Sequence, residues 1–394
     1  MLVGPNKNKQ MTSKILFVGH DANGAGAQIV LLNWLKAEAN RGKKNYLLLE
    51  KGGELLAQYE RYAKVWVWRK GPYKIEKIVK KIPFLKREDR VDREPNRTEI
   101  AAMLKEFRRE KFSLILGNTV ASLSLLQQLQ GMRIPFGAYV HELNFSLTMY
   151  ASEKDMHFLV QKVSLVFGVS EQVCRLLVDK YKVLNERILL LPPIVEIPKH
   201  RTDRGNQIRE QLGIPKDAKV VLGCGLAEWR KGTDIFIRVA RQVIRKMPNV
   251  HFIWLGMGDN VFSAELQSEK DRWDEREQVH LISRKSDSKP YFEAMDMFFL
   301  SSREDPFPLV MLEAAYHERP MIGFRGSGGI SDFLQDFPEM LVGYLEEEEA
   351  RDGILKWLEP DLNAQKGMRL ELKNRSLEYS AERFLERWHN MGLK

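Results

Sequence analysis

Short apolar runs that alternate with amphipathic helical segments are the feature that most constrains the fold of this chain. In the first half, runs that we predict to be strands lie at residues 15–18, 46–49, 65–68, 113–116, 136–140, 164–169 and 188–191. Strands in regular alternation with helices predict a parallel sheet covered by helices on both faces. Ligands of such sheets bind beyond the carboxyl ends of the strands.

The alternation restarts after a proline-containing segment. Residues 194–204 have the composition of a hinge linker, and further apolar runs follow at 220–223, 251–255, 279–282, 297–300 and 321–324. A chain of 394 residues is long enough for two domains with separate cores. We therefore predict a loose tail at 1–10, domains at 11–195 and 196–375, and a final helical segment at 376–394.

The charge, the cysteine count and the apolar runs of the sequence limit which partners, cross-links and location are expected. A formal net charge of +9 permits nucleic acid, an anionic membrane or a phosphorylated small molecule as partner. The sequence has no zinc-finger spacing and no aromatic RNA-binding motif, which argues against nucleic acid. Cys174 and Cys224 fall in different predicted domains, which excludes a disulfide framework and a cysteine metal site. Without an apolar signal core or a run of about 18 apolar residues, a cytoplasmic location is expected.

The stretch 301–329 combines carboxylates with a predicted helix start and a glycine turn. Asp305, Pro306 and Pro308 predict a helix start, with Asp305 at or near the N-cap and a proline in the first turn, and the helix continues over 309–316. Asp305 and Glu313 lie eight positions apart, or two helical turns, so both can face one ligand. Carboxylates suit sugar and ribose hydroxyls, and a helix N-terminus suits phosphate. The alternative is a capped helix with a solvent-facing glutamate.

A second motif is Arg230-Lys231-Gly232, which follows the apolar run 220–223. Cations beside a glycine turn can neutralise a diphosphate as it becomes a leaving group. Surface cations at a helix start are the alternative.

In the first half, polar residues follow two predicted strands. The loop after 15–18 contains Gly24 and Gly26 but has Ile29 where the dinucleotide fingerprint has a third glycine. Glu50 closes the next strand, where a dehydrogenase would hold a ribose, so a nicotinamide enzyme remains open, as does a simple tight turn. His141 follows 136–140 and is expected at the ligand crevice, unless it is a structural histidine.

The sequence Ser302-Arg303-Glu304-Asp305-Pro306-Phe307-Pro308-Leu309-Val310, continued by Glu313-Ala314, resembles the retaining glycosyltransferases of family 4. That family has the GT-B fold, in which two Rossmann-like domains face each other across a central cleft. The resemblance is specific over 223–232 and 301–329 and extends from Ile15 to about Trp388. It implies transfer of a sugar from a nucleotide-diphosphate sugar to a glycan, glycolipid or small-molecule hydroxyl. It also implies that the first domain holds the acceptor, that the second domain holds the nucleotide-sugar donor, and that the final helix returns to the first domain.

The resemblance also implies roles for individual residues. Asp305, where the family usually has Glu, would hold the sugar with the turn 307–309, Glu313 the ribose, and Lys231 the phosphates. Gly225 stands where many members have Arg, so Arg230 could substitute. The predicted catalytic residues are His141, Lys231, Asp305 and Glu313. The predicted donor-binding residues are Gly24, Gly26, Gly225, Arg230, Lys231, Asp305, Phe307, Pro308, Leu309, Val310 and Glu313.

Two further expectations concern metal and membrane. No Asp-x-Asp occurs, so neither a metal nor another cofactor is expected to be required. Residues 74–87 carry six cations against one acid, with apolar residues at helical spacing. Such a segment can rest on an anionic membrane, or its apolar face can pack on the first sheet.

Three alternatives to a transferase are open at this stage. They are the NAD-dependent dehydrogenase, a sugar-phosphate enzyme or nucleotide-sugar epimerase on the same scaffold, and a non-catalytic binding protein that kept the fold.

Overall fold

The computed structural model describes residues 14–69, 94–196, 204–359 and 362–391. The predicted tail at 1–10, the basic segment 74–87 and most of the predicted linker lie outside these ranges. Within them, no helix has both the length and the apolar content needed to cross a membrane.

The first domain is built on a sheet of seven parallel strands in the order β3-β2-β1-β4-β5-β6-β7. All residues of β2 and β5 are buried, because helices cover both faces of the sheet. The strands are β1 (Ile15–Gly19), β2 (Asn45–Leu49), β3 (Ala63–Val67), β4 (Leu114–Asn118), β5 (Phe136–Val140), β6 (Val163–Gly168) and β7 (Ile188–Leu190).

The second domain repeats this arrangement with six parallel strands in the order β10-β9-β8-β11-β12-β13. In both sheets the strand order reverses beside the first strand, between β1 and β4 and between β8 and β11. Such reversal points are where open parallel sheets form their ligand crevices. The strands are β8 (Lys219–Cys224), β9 (Val250–Met257), β10 (Val279–Ser283), β11 (Met297–Leu300), β12 (Met321–Phe324) and β13 (Leu341–Val342).

Helices connect the strands and cover the sheets. In chain order they are α1 (Gly26–Asn40), α2 (Leu56–Tyr62), α3 (Arg97–Glu110), α4 (Leu123–Gln128), α5 (Asn144–Tyr150), α6 (Glu153–Lys162), α7 (Glu171–Asp179), α8 (Gly205–Gln211), α9 (Thr233–Lys246), α10 (Val261–Lys270), α11 (Lys289–Ala294), α12 (Leu309–Tyr316), α13 (Ile330–Phe333), α14 (Glu347–Leu358), α15 (Leu362–Leu377) and α16 (Ala381–Asn390).

The C-terminal helix α16 packs on α1 of the first domain. The ring of Trp34, on α1, lies 4.9 Å from that of Phe384 and 4.6 Å from that of Trp388, measured between centroids, in edge-to-face contacts. Phe384 and Trp388 lie on the apolar face of α16 and are buried. Helix α16 therefore packs on the first domain although it follows the second domain in sequence.

The predicted fold class is confirmed, since both halves form parallel sheets covered by helices. The domain boundaries stay a prediction, because residues 197–203 are not described. One local prediction is wrong: Asp305 is not a helix N-cap. Helix α12 begins at Leu309 with Pro308 as its N-cap, and Asp305 lies three residues earlier in a bridge to Gly328. The argument that Asp305 and Glu313 are two turns apart on one helix therefore fails.

Candidate active site

The loop after β8 places Lys231 against the loop after β11. A 3₁₀ turn, Trp229–Lys231, leads into Gly232, whose φ of 66° favours glycine. A Cβ on Gly232 would lie 1.9 Å from the carbonyl oxygen of Ser301, and the Ser301 hydroxyl donates to the Gly232 carbonyl at 2.9 Å. Glycine at this position therefore lets the two loops approach closely enough for their side chains to meet.

Asp305 is held by the glycine turn that follows β12. Its N–H donates to the carbonyl of Ser327 at 2.7 Å, and its own carbonyl accepts from Gly329 at 3.2 Å. Gly328 has a φ of 141°, and a Cβ there would lie 1.7 Å from the Asp305 carbonyl oxygen. The turn thus fixes the backbone of Asp305. The orientation of its buried carboxylate is set by contacts with other side chains.

The side chains that contact the Asp305 carboxylate are cationic. Lys231 Nζ lies 2.5 Å from Asp305 Oδ2, and Arg230 Nη1 lies 4.0 Å from Oδ1. Arg230 also donates to the carbonyl of Glu304 at 3.0 Å and pairs with Glu228 at 2.8 Å. The structure therefore brings three predicted residues, Arg230, Lys231 and Asp305, into one cluster of charge.

Glu313 lies on the second turn of α12, the helix that follows the Asp305 loop. Burial raises the pKa of Glu313 to about 7, opposed by the Ser288 hydroxyl, which donates to its carboxylate at 3.4 Å, and by Lys289. Burial and the charge of Glu313 raise the pKa of Cys224 to about 12, while Lys231 lowers it. The Cys224 thiol, at the end of β8, thus lies within electrostatic reach of both residues. The side chain of Glu313 is half-buried and bonded to Ser288, so it is not the solvent-facing glutamate of the alternative interpretation.

The turn 307–310 contributes mostly backbone to this region. The side chain of Phe307 is 8% exposed and its ring lies 5.1 Å from that of Tyr379. It therefore belongs to the core rather than to a sugar-facing surface. Pro308 is buried as the N-cap, whereas Leu309 and Val310 are half-buried in the first turn of α12. First-turn N–H groups have no partner within their helix, so they can bind an anion.

Gly225 leaves room for the stem of Lys231. A Cβ at this position would lie 3.3 Å from Cδ of Lys231. The chain has glycine where many members of the family that it resembles have arginine, and the lysine stem lies against that position instead.

On the first domain, His141 lies at the end of β5. Its Nε2 is 3.0 Å from Asn118 Oδ1, and the Asn118 amide donates to the carbonyl of Ala27 at 3.1 Å. This assignment makes Nε2 the donor and leaves the lone pair of the imidazole on Nδ1. Burial lowers the pKa of His141 to about 3, so the ring is neutral at physiological pH.

Glu142 supports the backbone beside His141. Its carboxylate accepts from the N–H of His141 at 2.8 Å and from that of Val120 at 3.3 Å. Burial raises the pKa of this group to about 7, and the two backbone donors oppose the shift. Glu142 therefore joins the strand ends of β4 and β5.

The Gly24–Gly26 loop meets the second domain at Arg284. The Arg284 guanidinium donates to the Gly24 carbonyl at 3.2 Å and lies 3.8 Å from the Glu54 carboxylate. Gly26 is the first residue of α1. The contacts of this loop thus run to Arg284 rather than to the cluster around Asp305.

Sequence reasoning missed a polar network beside this loop. The Gln28 amide donates to Asp21 at 2.7 Å and to Nε2 of His20 at 3.0 Å, and Thr119 lies 3.2 Å from Nδ1 of His20. The available signal was the position of His20 and Asp21 directly after β1. Glu50, the candidate ribose ligand of a dehydrogenase, instead pairs with Arg69 at 3.2 Å.

No group of three or more His, Cys, Asp or Glu side chains in the described parts of the chain is placed to hold a metal ion.

Comparisons with known proteins bear on the fold of the chain and on its kind of enzyme. Crystal structures of Anabaena HepE in complex with UDP and with UDP-glucose superpose with TM-scores of 0.76 and 0.77. They are 17% and 18% identical in sequence, and the matches cover 96% of this chain and 99% and 98% of theirs. The fold is GT-B. Residues 218–359, which contain Lys231, Asp305 and Glu313, match the model of the family described as glycosyl transferases group 1.

Proteins of similar sequence include glycosyltransferases. An uncharacterized glycosyltransferase of Haemophilus influenzae is 21% identical over 382 residues, covering 94% of this chain and 97% of the relative. The alpha-galactosylglucosyldiacylglycerol synthase of Streptococcus pneumoniae is 28% identical over 186 residues, covering 46% of this chain and 47% of its own. Together the comparisons support a glycosyltransferase with a GT-B fold. They do not favour the epimerase, sugar-phosphate enzyme or dehydrogenase alternatives.

Proposed function

We propose that the chain is a retaining glycosyltransferase that moves a sugar from a nucleotide-diphosphate sugar to a hydroxyl of a glycan, glycolipid or small molecule, without a required metal. The observation that carries this proposal is the Lys231–Asp305 pair at 2.5 Å, in the loops that follow β8 and β11 and precede α12, the helix of Glu313. It lies where the strand order of the second sheet reverses, the usual position of a nucleotide in such sheets.

Each group has a role that fits its chemistry. Lys231 and Arg230 neutralise the diphosphate as negative charge develops on it. The N–H groups at the start of α12 bind phosphate oxygens, and Glu313 accepts hydrogen bonds from the ribose hydroxyls. Asp305 and the backbone of 307–310 hold the hydroxyls of the transferred sugar. His141 approaches this sugar from the first domain with a neutral ring.

The transfer itself is a substitution at the anomeric carbon of the donor. The bond from this carbon to the leaving phosphate oxygen breaks, and a bond to the acceptor oxygen forms on the same face. The acceptor proton passes to the leaving phosphate, so no protein nucleophile is needed. The contribution of the protein is positioning and charge stabilisation.

The first donors and acceptors to test follow from the relatives. HepE is described in complex with UDP-glucose, which favours a UDP-sugar as donor. The pneumococcal relative is named for a glycosylated diacylglycerol, which favours a glycolipid acceptor. A cytoplasmic enzyme that contacts an anionic membrane through residues 74–87 would suit such an acceptor, and this part of the proposal rests on sequence alone.

The test begins with thermal melts against a panel of nucleotide sugars, because a ligand of the folded state raises the melting temperature. The donor that stabilises the protein is then used for turnover, and proton NMR of the product reports its anomeric configuration. Glu313→Ala should cost at least about 2 kcal/mol in kcat/KM, since a charge-assisted hydrogen bond is lost. Glu265→Ala is the matched control, because Glu265 is an exposed glutamate of the same domain on α10.

Three results would contradict the proposal. They are the absence of any shift with the whole panel, an inverted product, and an unchanged kcat/KM in Glu313→Ala.

A further inference from the structure

A contact across the cleft joins the first domain to the second at Phe145. Phe145 lies in α5, just after His141, and its N–H donates to Oε2 of Glu304 at 2.9 Å. Its ring lies 5.3 Å from that of Trp229, with the two planes at 46°. One residue of the first domain thus touches two loops of the second.

Each residue in this contact lies within four positions of a candidate catalytic residue in the sequence. Phe145 lies four positions after His141, Trp229 two positions before Lys231, and Glu304 directly before Asp305. The two loops of the second domain are also joined to each other, since the N–H of Arg303 donates to the carbonyl of Arg230 at 2.8 Å. The contact therefore connects all three segments that carry His141, Lys231 and Asp305.

Trp229 presents its ring from a fixed backbone. The Arg303 guanidinium donates to the Trp229 carbonyl at 2.8 Å and lies 5.0 Å from the centre of its ring. The same guanidinium forms two bonds to Asp234, at 2.7 and 2.8 Å. A ring held in this way can transmit the position of the Lys231 loop to the residue that packs against it.

The contact is also easy to break. Phe145 is 42% exposed and Trp229 is 50% exposed, so water can reach both rings. A partly exposed aromatic pair and one hydrogen bond are weak interactions compared with a buried core contact. Such a contact can form and break as two domains move relative to one another.

We propose that Phe145 is a positioning residue that holds His141 against Lys231 and Asp305 when the two domains close, an inference that rests on the proposed function. Transfer requires the acceptor hydroxyl and the donor carbon to lie within near-attack distance, and these are held by different domains. A small misplacement of one domain lowers the rate sharply even where every binding residue is intact. The nucleotide, in contrast, contacts mainly the second domain, so its affinity should not depend on Phe145.

The experiment compares wild-type protein with Phe145→Ala, Trp229→Ala and the double variant. Met149→Ala is the matched control, since Met149 lies one turn further along α5 and is 65% exposed. Three quantities are measured: the radius of gyration by small-angle X-ray scattering, the Kd for UDP, and kcat with the donor identified by the panel. Thermal melts of each variant verify that it is folded.

We expect Phe145→Ala to have a larger radius of gyration than wild type, a kcat lower by about tenfold, and a Kd for UDP within about twofold of wild type. Trp229→Ala should reproduce this result. The double variant should lose no more than either single variant, because both remove the same ring contact and both keep the backbone hydrogen bond to Glu304. Met149→Ala should match wild type in all three measurements.

The proposal is overturned if Phe145→Ala keeps the wild-type kcat and radius of gyration. It is also overturned if the losses of the two single variants multiply, or if Met149→Ala loses as much as Phe145→Ala. If the wild type turns over no donor of the panel, the proposed function fails. The radius of gyration of Phe145→Ala, compared with those of wild type and Met149→Ala, then still tests whether Phe145 holds the two domains together.

Discussion

The ammonium of Lys231 and the carboxylate of Asp305 form an ion pair between the loops that follow β8 and β11, with 2.5 Å between Nζ and Oδ2. The side chains are 17% and 6% exposed, so the pair is largely withdrawn from water. In that environment each charge compensates the other, and removal of Lys231 leaves Asp305 only the longer contact with Arg230, at 4.0 Å. The same two groups are those that we assign to the diphosphate and to the transferred sugar.

The first prediction follows from this pairing. Lys231→Met should lower the free energy of unfolding by about 3 kcal/mol, because it leaves the buried Asp305 carboxylate with only Arg230, at 4.0 Å, as a charged partner. Adding Asp305→Asn should recover most of that loss without restoring activity. Urea unfolding of the wild type, both single variants and the double variant measures the effect. A double variant no more stable than Lys231→Met would show that charge compensation is not what the pair contributes.

The second prediction concerns the pH dependence of nucleotide binding. Burial raises the pKa of Glu313 in the folded protein from 4.5 to about 7, so its carboxylate forms only as the pH rises through that value. This group therefore lowers the stability of the fold as the pH rises from its unfolded to its folded pKa. If the ionised form accepts the ribose hydroxyls, the affinity for UDP should improve about tenfold between pH 6 and pH 8.

Isothermal titration across this range tests the assignment, with Glu313→Gln as the control. The difference between the two profiles removes the titration of Glu142 and of the nucleotide itself. A profile that is equally steep in Glu313→Gln would assign the dependence to another group.

The third prediction concerns metal. Because Lys231 and Arg230 lie where a diphosphate would bind in the proposed site, turnover should persist in excess chelator. Activity is measured with EDTA and with added magnesium after metal-free dialysis. Loss of activity in EDTA with recovery on magnesium would require a cation in the proposed reaction.

The fourth prediction tests the turn that holds Asp305. Gly328→Ala should strongly reduce activity, since its Cβ would lie 1.7 Å from the Asp305 carbonyl oxygen and force the loop to move. Gly326→Ala is the matched control, because Gly326 also has a positive φ, of 78°, but a Cβ there would meet no atom within 4 Å. The control should cost only about 1 kcal/mol of stability from backbone strain. Equal activity in the two variants would show that the turn does not position Asp305.

The fifth prediction concerns residues 74–87, which the structure does not describe. Six cations in this segment predict sedimentation with anionic vesicles at low salt, since each contributes roughly 1 kcal/mol near such a surface. Reversing four of them to glutamate should abolish the binding, and neutral vesicles should not bind the wild type. Wild-type protein that stays in the supernatant with anionic vesicles would favour packing of this segment on the first domain and a soluble acceptor.

Local patterns predicted the individual strands well. The strands at 136–140, 297–300 and 321–324 have the predicted bounds, because a fully buried strand is marked by a continuous apolar run. Strand β13, Leu341–Val342, was missed, since two residues are too few to form a pattern. The N-cap at Asp305 was wrongly predicted because aspartate is favoured both at helix starts and in loops, and only its bridge to Gly328 distinguishes them.

The sequence alone determined that the chain forms two parallel sheets covered by helices. Each buried strand appears as a short apolar run, and each covering helix has apolar residues at helical spacing. Which side chains meet was decided only by the tertiary structure. Lys231 and Asp305 are 74 residues apart, and Phe145 and Glu304 are 159 apart. No local pattern encodes such pairs, since they depend on how β8 and β11 lie side by side and on how one domain faces the other.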